Sequence, residues 1–143
     1  MQIDKMIKED AQALYELDKL CFSVPWSKKS FEEEAENANA SYFVARENDE
    51  IIGYGGVWLV AGEGQITNIA VHPDHRKKHI GSKLLECILE ECRDSFQIIL
   101  EVRESNIPAI CLYEKYGFIK AGIRKRFYHS PEEDGITMIR GEI

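Results

Sequence analysis

The first part of the chain alternates between a segment of strand type and segments whose hydrophobic positions have helical spacing. Residues 3–7 are predicted to form a short strand. A helix is expected from Ala11, capped by Asp10, because apolar residues then recur every three or four positions; they are Leu14, Leu17 and Cys21. Residues 25–27, Pro-Trp-Ser, interrupt this helix, and Ser27 can cap a second helix toward Asn37.

The centre of the chain changes to the two-residue period of strands. Three strands are predicted as a series of hairpins, at residues 42–47, 51–60 and 65–71. Turns are expected at residues 48–50, Asn-Asp-Glu, and around Gly62 and Gly64, because these residue types tolerate the backbone angles that tight turns require.

The last part of the chain mixes both periods. A helix is predicted from Gly81 because apolar residues then form one stripe; they are Leu84, Leu85, Ile88, Leu89 and Cys92. A buried strand is expected at residues 96–102, and a helix from Ile107, capped by Asn106 and ended by a left-handed Gly117. Strands at residues 118–127 and 136–139 close the chain, with residues 129–135 as a loop. This order predicts a single α/β domain over residues 1–143 with a mixed sheet.

Composition and charge limit the classes of function. The chain has 143 residues, of which 44% are hydrophobic and 30% charged, as in one soluble globular domain. It has no apolar run of membrane-spanning length, and its N-terminus lacks the apolar run of a signal peptide, so we expect a cytoplasmic protein. The net charge of −7 argues against nucleic-acid binding and favours a cationic partner.

The cysteines and histidines do not have the spacing of a metal site. The four cysteines lack a Cys-x-x-Cys pair, and we expect them to be reduced residues of the core rather than zinc ligands or disulfides. The four histidines do not combine with a cysteine or carboxylate at a ligand spacing, so no metal is expected.

A cluster of cations, HRKKHIG at residues 75–81, stands out in this acidic chain. It lies between a predicted strand and a predicted helix, and a helix start offers free N–H groups and a partial positive charge to phosphate. Arg76, Lys77 and Lys78 would add charge, and Gly81 would let the backbone approach a ligand. The alternative is a solvated basic loop. The chain contains neither a Walker-type loop nor Gly-x-Gly-x-x-Gly, which argues against an ordinary nucleotidase.

The segment ITNIAVHPDHRKKHIGSKLLE resembles the acetyl-CoA-binding segment of the Gcn5-related N-acetyltransferases, the GNAT family. Arg76, Ile80 and Gly81 fall in register with the family motif, and His79 occupies the position of its usual first glycine. The segment LEVRESNIPAICLYEKYGF is similar to the other half of the family's core. The resemblance extends over residues 3–138. It implies a mostly antiparallel sheet flanked by helices, with acetyl-CoA bound where the middle strands splay apart.

The resemblance also implies roles for individual residues. Glu101 would be the proton acceptor, and its place in an apolar strand suits this role because desolvation makes a carboxylate more basic; a structural ion pair with Arg103 or another cation is the alternative. Tyr113 would donate a proton to the leaving thiolate, the alternative being a packed aromatic residue. Asn106 could serve as pantetheine contact, helix cap or both. The expected acetyl-CoA-binding residues are Ile69, Ala70, Val71, Arg76, Lys77, Lys78, His79, Ile80, Gly81, Ser82 and Asn106.

His79 is the main departure from the family pattern. If the loop requires a positive φ there, a side chain costs about 1 kcal/mol or more. We nevertheless expect the pyrophosphate site to be retained, because Gly81, the cations and the helix start are present.

The chain is most similar to the branch of the family that acetylates the N-terminal alanine of a ribosomal protein. Shared residues include Phe22 with Pro25-Trp26-Ser27, and the tail Phe127-Tyr128. The partner implied is the peptide N-terminus of a ribosomal protein. Residues 132–134, Glu-Glu-Asp, could meet a cationic peptide or form a solvated turn, and Trp26 and Tyr128 could line the groove or belong to the core. Acetylation of a small amine and a non-catalytic acetyl-CoA-binding module are the alternatives.

Overall fold

The computed structural model describes residues 1–76 and 78–141. Seven strands and four helices follow in the predicted order. The strands are β1 (Gln2–Lys5), β2 (Ala40–Glu47), β3 (Glu50–Val60), β4 (Glu63–Val71), β5 (Gln97–Arg103), β6 (Ile119–Tyr128) and β7 (Glu133–Gly141). The helices are α1 (Ala11–Cys21), α2 (Lys28–Glu36), α3 (Ile80–Glu91) and α4 (Ile107–Lys115), with 3₁₀ turns at Lys8–Asp10 and Pro73–His75. None of the helices in the described ranges is both long enough and apolar enough to cross a membrane.

The seven strands form one sheet in the order β1-β2-β3-β4-β5-β7-β6. All neighbours are antiparallel except β4 and β5, so the sheet is mixed and mostly antiparallel, as predicted. β4 and β5 pair only where Glu63–Gln65 lies beside Gln97–Ile99. Beyond these residues the two strands separate, and the gap between them is the central feature of the molecule.

Each face of the sheet carries its own core. Successive residues of β2 point to opposite faces, so Phe43 and Ala45 join one cluster while Tyr42 and Val44 join the other. The first cluster contains the buried stripe of α3. The second contains the apolar faces of α1 and α2, which pack with Tyr54 of β3 and Ala70 of β4. The two clusters therefore support both faces of the sheet, including the strands β3 and β4 beside the gap.

Several predicted turns and caps are confirmed. The Ser27 side chain accepts a hydrogen bond from the Ser30 N–H at 3.1 Å and caps α2. Gly117 has φ +93° just after α4, the left-handed conformation expected of a C-terminal cap. Asn48 and Asp49 both have positive φ in the turn between β2 and β3.

The loop predicted at residues 129–135 is shorter than expected, because β7 already begins at Glu133. Three further local predictions are wrong. The Asp10 side chain does not cap α1, because Asp10 is the last residue of the 3₁₀ turn and already has helical angles. Its carboxylate instead accepts from the Ile7 N–H (3.0 Å) and from Arg46 (2.7 Å). Gly64 lies inside β4, and the turn before that strand is made by residues 61–62. The four cysteines are free, but Cys111 is exposed on α4 rather than part of the core.

Candidate active site

A cavity of about 440 Å³ fills the gap between β4 and β5. Residues 66–69 of β4 and 100–103 of β5 form its two main walls, and α4 closes one side with Asn106, Ala109 and Tyr113. Two segments form its lips. One lip consists of residues 22–26 between α1 and α2, and the other of residues 127–129 at the end of β6. The splayed strands thus create a cleft whose walls contain both predicted catalytic residues.

Glu101 lines this cavity, and one of its carboxylate oxygens has no hydrogen-bond partner among the described residues. Its Oε1 accepts a hydrogen bond from Arg124 Nη1 at 3.2 Å. Its Oε2 is buried, and no group of the described residues donates to it. A buried acceptor without a donor lowers the stability of a fold. A bound substrate or water that donates a hydrogen bond to this oxygen would remove that cost. The predicted alternative, an ion pair with Arg103 or another cation, is formed in part, because Glu101 pairs with Arg124 rather than with Arg103 and uses only Oε1.

Tyr113 lines the same cavity from α4. Its ring is buried and packs edge-on against Phe118, with ring centroids 5.6 Å apart. Burial, with a smaller contribution from the neighbouring Tyr128, raises the pKa of the Tyr113 hydroxyl well above its ordinary value. The hydroxyl therefore remains protonated at neutral pH and can act as a proton donor. The structure brings Glu101 and Tyr113 into one cleft, as the sequence predicts.

Arg103 holds the lip formed by residues 127–129. Its guanidinium donates to the carbonyl oxygens of His129 and Pro131, each at 3.0 Å, and to Glu133 at 3.1 Å. It also stacks on the Tyr128 ring, 4.6 Å from the centroid. Burial, followed by the nearby Glu101 charge, raises the pKa of the Tyr128 hydroxyl to about 12. Arg103 is therefore a structural residue of the lip rather than the partner of Glu101.

The three carboxylates at residues 132–134 are occupied within the chain. Glu132 pairs with Arg126, Glu133 with Arg103 and Asp134 with Lys125. Hydrogen bonds from Ser105, followed by Arg103, hold the pKa of Glu133 below its ordinary value. These residues therefore form ion pairs within the chain rather than a free anionic surface for a cationic peptide. Trp26 and Tyr128, in contrast, both line the cavity.

Of the residues expected to bind acetyl-CoA, Ile69 and Asn106 lie in the cavity wall. The Asn106 side chain also accepts from the Ala109 N–H at 3.3 Å and so caps α4 as predicted. Ala70 and Ile80 point their side chains into the core and can offer only their backbones to a ligand.

Val71 ends β4 with its backbone directed toward the gap. The following residue, His72, donates its N–H to Ile52 of β3 at 2.8 Å. Because the N–H and C=O of successive strand residues alternate in direction, those of Val71 face away from β3. Its carbonyl accepts from Arg76 Nε at 3.2 Å and from the Cys21 thiol at 3.4 Å. The Val71 N–H therefore faces the side of β4 on which the two strands separate, with Arg76 held beside it, while Val71 itself does not line the cavity.

The start of α3 fits a phosphate-bearing ligand. Gly81 and Ser82 lie in its first turn, and Lys78 and His79 are exposed immediately before it. Free N–H groups at a helix start and adjacent cations attract phosphate. Lys77, also expected to contribute, lies outside the described residues. Among the described residues, no group of three or more His, Cys, Asp or Glu could hold a metal ion.

Comparison with known proteins agrees with this geometry. The model of the acetyltransferase (GNAT) family matches residues 11–118, well over half of the chain. The chain belongs to the GNAT family. It is therefore an N-acetyltransferase, and its acetyl donor is acetyl-CoA.

Individual GNAT relatives match nearly the whole chain. A Bacillus subtilis (strain 168) protein, provisionally named a ribosomal protein bS18-alanine N-acetyltransferase, is 40% identical over 139 residues, covering 95% of this chain and 92% of its own. The ribosomal protein bS18-alanine N-acetyltransferase of Escherichia coli K12 is 34% identical over 142 residues, covering 95% and 94%. The crystal structure of the ribosomal-protein-S18-alanine N-acetyltransferase from Escherichia coli superposes with a TM-score of 0.90 at 32% identity, covering 98% of this chain and 92% of that one.

His79 adopts the conformation that the GNAT motif usually assigns to glycine, with φ +61° and ψ +20°. We expect His79→Gly to raise the free energy of unfolding by about 1 kcal/mol, because glycine removes the left-handed strain. Its affinity for coenzyme A should stay within about threefold, since the loop already has the glycine geometry. Thermal denaturation and calorimetric titration with coenzyme A measure the two effects.

His79→Ala is the control, because alanine shortens the side chain but retains the strained Cβ. It should not gain stability. An affinity loss of about tenfold in both variants would contradict the expectation and make the imidazole a ligand.

Three residues that shape this GNAT site were missed from the sequence. Arg124 on β6 pairs with Glu101 on β5, and buried Asp18 bonds to the Tyr54 hydroxyl and to the Trp26 N–H in the lip of residues 22–26. Arg124 could not be assigned because its position depends on the register of two strands. Asp18 could have been found, because it follows Leu14 by four residues and so falls on the buried stripe of α1.

Proposed function

We propose that this chain transfers the acetyl group directly from acetyl-CoA to the N-terminal α-amine of a ribosomal protein, with alanine as the acceptor residue. The observation that carries the proposal is the unpartnered Oε2 of Glu101, a residue that lines the same cleft as Tyr113. The names of the Bacillus and Escherichia relatives support the acceptor, because both describe an alanine N-acetyltransferase of ribosomal protein bS18.

A carboxylate is a sufficient base for an α-amine. Such an amine has a pKa of about 7.7–8.0, whereas a lysine amine has one of about 10.4, so much less work is needed to deprotonate the α-amine at neutral pH. Glu101 Oε2 would accept the proton that the attacking amine loses, directly or through one water. Because Arg124 donates to Oε1, the carboxylate is held in place while Oε2 keeps its capacity to accept a proton.

Bound acetyl-CoA supplies the acetyl group as a thioester. The amine nitrogen forms a bond to the acetyl carbon as the carbon–sulfur bond breaks. The protonated Tyr113 hydroxyl donates its proton to the departing sulfur, and the Val71 N–H stabilises the negative charge on the acyl oxygen. A preorganised N–H of this kind contributes about 3 kcal/mol to a transition state. Ile69, Asn106 and the start of α3 would hold the rest of the donor.

The state of the cysteine in the cavity supports direct transfer. Cys21 lies in the cavity wall, and its thiol donates to the Val71 carbonyl at 3.4 Å. Burial raises the pKa of this thiol above its ordinary value, although Arg76 partly opposes the shift. A neutral thiol is a poor nucleophile, so an acetyl-cysteine intermediate is disfavoured.

Thiol release from acetyl-CoA tests the proposal with three acceptors: a basic ribosomal peptide with a free N-terminal alanine, the same peptide with a blocked N-terminus, and a polyamine. We expect saturable release with the free peptide only, weakened by salt because charges on its basic segment are screened. Initial rates varied in both substrates should give intersecting lines, whereas parallel lines would contradict direct transfer. Thiol release with the polyamine alone would contradict the proposal that the acceptor is an N-terminal alanine. Silence with all three, despite bound acetyl-CoA, would favour the non-catalytic module.

A further inference from the structure

Asp18 is a carboxylate in the core whose hydrogen bonds lead to the active-site lip. It lies on the buried face of α1 with 0% of its surface exposed. One oxygen accepts from the Tyr54 hydroxyl at 2.6 Å, and the other from the Trp26 N–H at 2.8 Å. Both oxygens of a costly buried group are thus used, one toward the sheet and one toward residues 22–26.

The bond to Trp26 is the anchor of this lip. Among the hydrogen bonds of the described residues, it is the one that ties the backbone of residues 23–26 to the rest of the molecule. The Trp26 ring adds packing against Phe31 and Tyr42, with centroids 5.6 and 6.3 Å away. Without the Asp18 bond, the segment would be held only by its ends and by this ring.

Tyr54 extends the connection to the opposite wall. It is fully buried on β3, and its hydroxyl also accepts from the Asn68 side chain at 3.4 Å. Asn68 and Trp26 both line the cavity. The chain Trp26–Asp18–Tyr54–Asn68 therefore passes through the core and joins the lip to β4.

We infer that Asp18 and Tyr54 are positioning residues for the acceptor, which hold the lip of residues 22–26 at a fixed place relative to β4. A buried charge is a weak source of stability, since apolar residues of similar volume often serve a core equally well. What the pair supplies is a defined position for Trp26. This inference rests on the proposed function only in assigning the lip to the acceptor.

The kinetic test is Asp18→Ala, which removes the anchor of the Trp26 N–H. We expect the KM for the alanine peptide to rise by about tenfold, with kcat and the KM for acetyl-CoA changing less than about twofold. Asp18→Asn should restore the peptide KM, because its amide oxygen can accept from Trp26 while its NH₂ donates to Tyr54. If Asp18→Ala does not fold, Tyr54→Phe replaces it, since this change removes one donor from the carboxylate and keeps the ring.

Val44→Ala is the matched control. It shortens another fully buried side chain of the same cluster, one that does not line the active-site cavity and has no hydrogen bond to Asp18. It should lower the melting temperature without the selective rise in peptide KM. A rise in Val44→Ala equal to that in Asp18→Ala would overturn the inference, because any loosening of the core would then suffice.

A second measurement needs no acceptor. The chain has two tryptophans, so Trp58→Phe leaves Trp26 as the fluorescent reporter of the lip. In this background we expect Asp18→Ala to increase quenching of Trp26 by acrylamide, and Asp18→Asn and Val44→Ala to leave it unchanged. Unchanged quenching in Asp18→Ala overturns the inference. If the wild type does not acetylate the alanine peptide but quenching rises in Asp18→Ala, the proposed acceptor is wrong, and the inference that Asp18 positions the lip is still supported.

Discussion

Replacing Glu101 by glutamine is expected to lower kcat for the alanine peptide by about a thousandfold, the middle of the range for general base catalysis. Glutamine has nearly the same shape, and its carbonyl oxygen can still accept from Arg124. The change therefore replaces the unpartnered Oε2 with an NH₂ group that cannot accept a proton. The KM for acetyl-CoA should stay within about twofold, because Glu101 is not among its predicted contacts.

Glu104→Gln is the control for the loss of one negative charge. Glu104 is exposed just beyond β5 and does not line the cavity, so kcat should change less than about twofold. The residual rate of Glu101→Gln should rise as the pH approaches about 8, because the α-amine then loses its proton to solvent. A wild-type kcat in Glu101→Gln, measured by thiol release, would show that Glu101 is not the base.

The order of the elements was predictable because it depends on local periodicity. The buried stripe of α3 contains Leu84, Leu85 and Ile88 at the predicted positions. The strand pattern likewise distinguished β2 from the helices before it. The predictions that fail do so because another group binds the same side chain. Asp10 is predicted to cap α1, but its carboxylate accepts from the Ile7 N–H at the start of the 3₁₀ turn and from Arg46.

The site was predictable only in part. The motif around Glu101 and the spacing from Asn106 to Tyr113 identified residues that the fold brings into one cleft. The pairs that organise this cleft join distant residues, as Asp18 joins Tyr54 on β3 and Arg124 joins Glu101 on β5. Such pairs depend on strand order and register, which the periodicity of a single sequence does not determine.

Gly56 shows how close packing behind the cleft restricts the sequence. Here Gly56 of β3 lies opposite Asn68, while Val57 lies opposite Ile66, so Thr67 is the extra residue of a bulge in β4. The Tyr42 ring lies against Gly56, and its hydroxyl bonds to Thr67 at 2.8 Å. The absence of a side chain at Gly56 therefore makes room for the ring that supports the bulge in the cavity wall.

Gly56→Ala is expected to lower the free energy of unfolding by about 3 kcal/mol, near the upper end for overpacking of a core. The new Cβ would overlap the Tyr42 ring, whose Cδ2 would lie only 2.7 Å away. The ring cannot move easily, because it is 4% exposed, bonded to Thr67 and packed against Tyr54. Thermal denaturation should show a melting temperature lower by about 10 °C.

Gly122→Ala is the matched control, since it adds the same methyl group to another strand glycine. Its Cβ would meet no heavy atom within 4 Å on β6, so stability should change by less than about 0.5 kcal/mol. If Gly56→Ala melts like Gly122→Ala, the Tyr42 ring can move aside and does not fix the bulge. If Gly56→Ala is destabilised and the folded fraction also loses acetyl transfer, the loss follows from displacement of Thr67 or of the Trp26 ring, because both contact Tyr42 and both line the cavity.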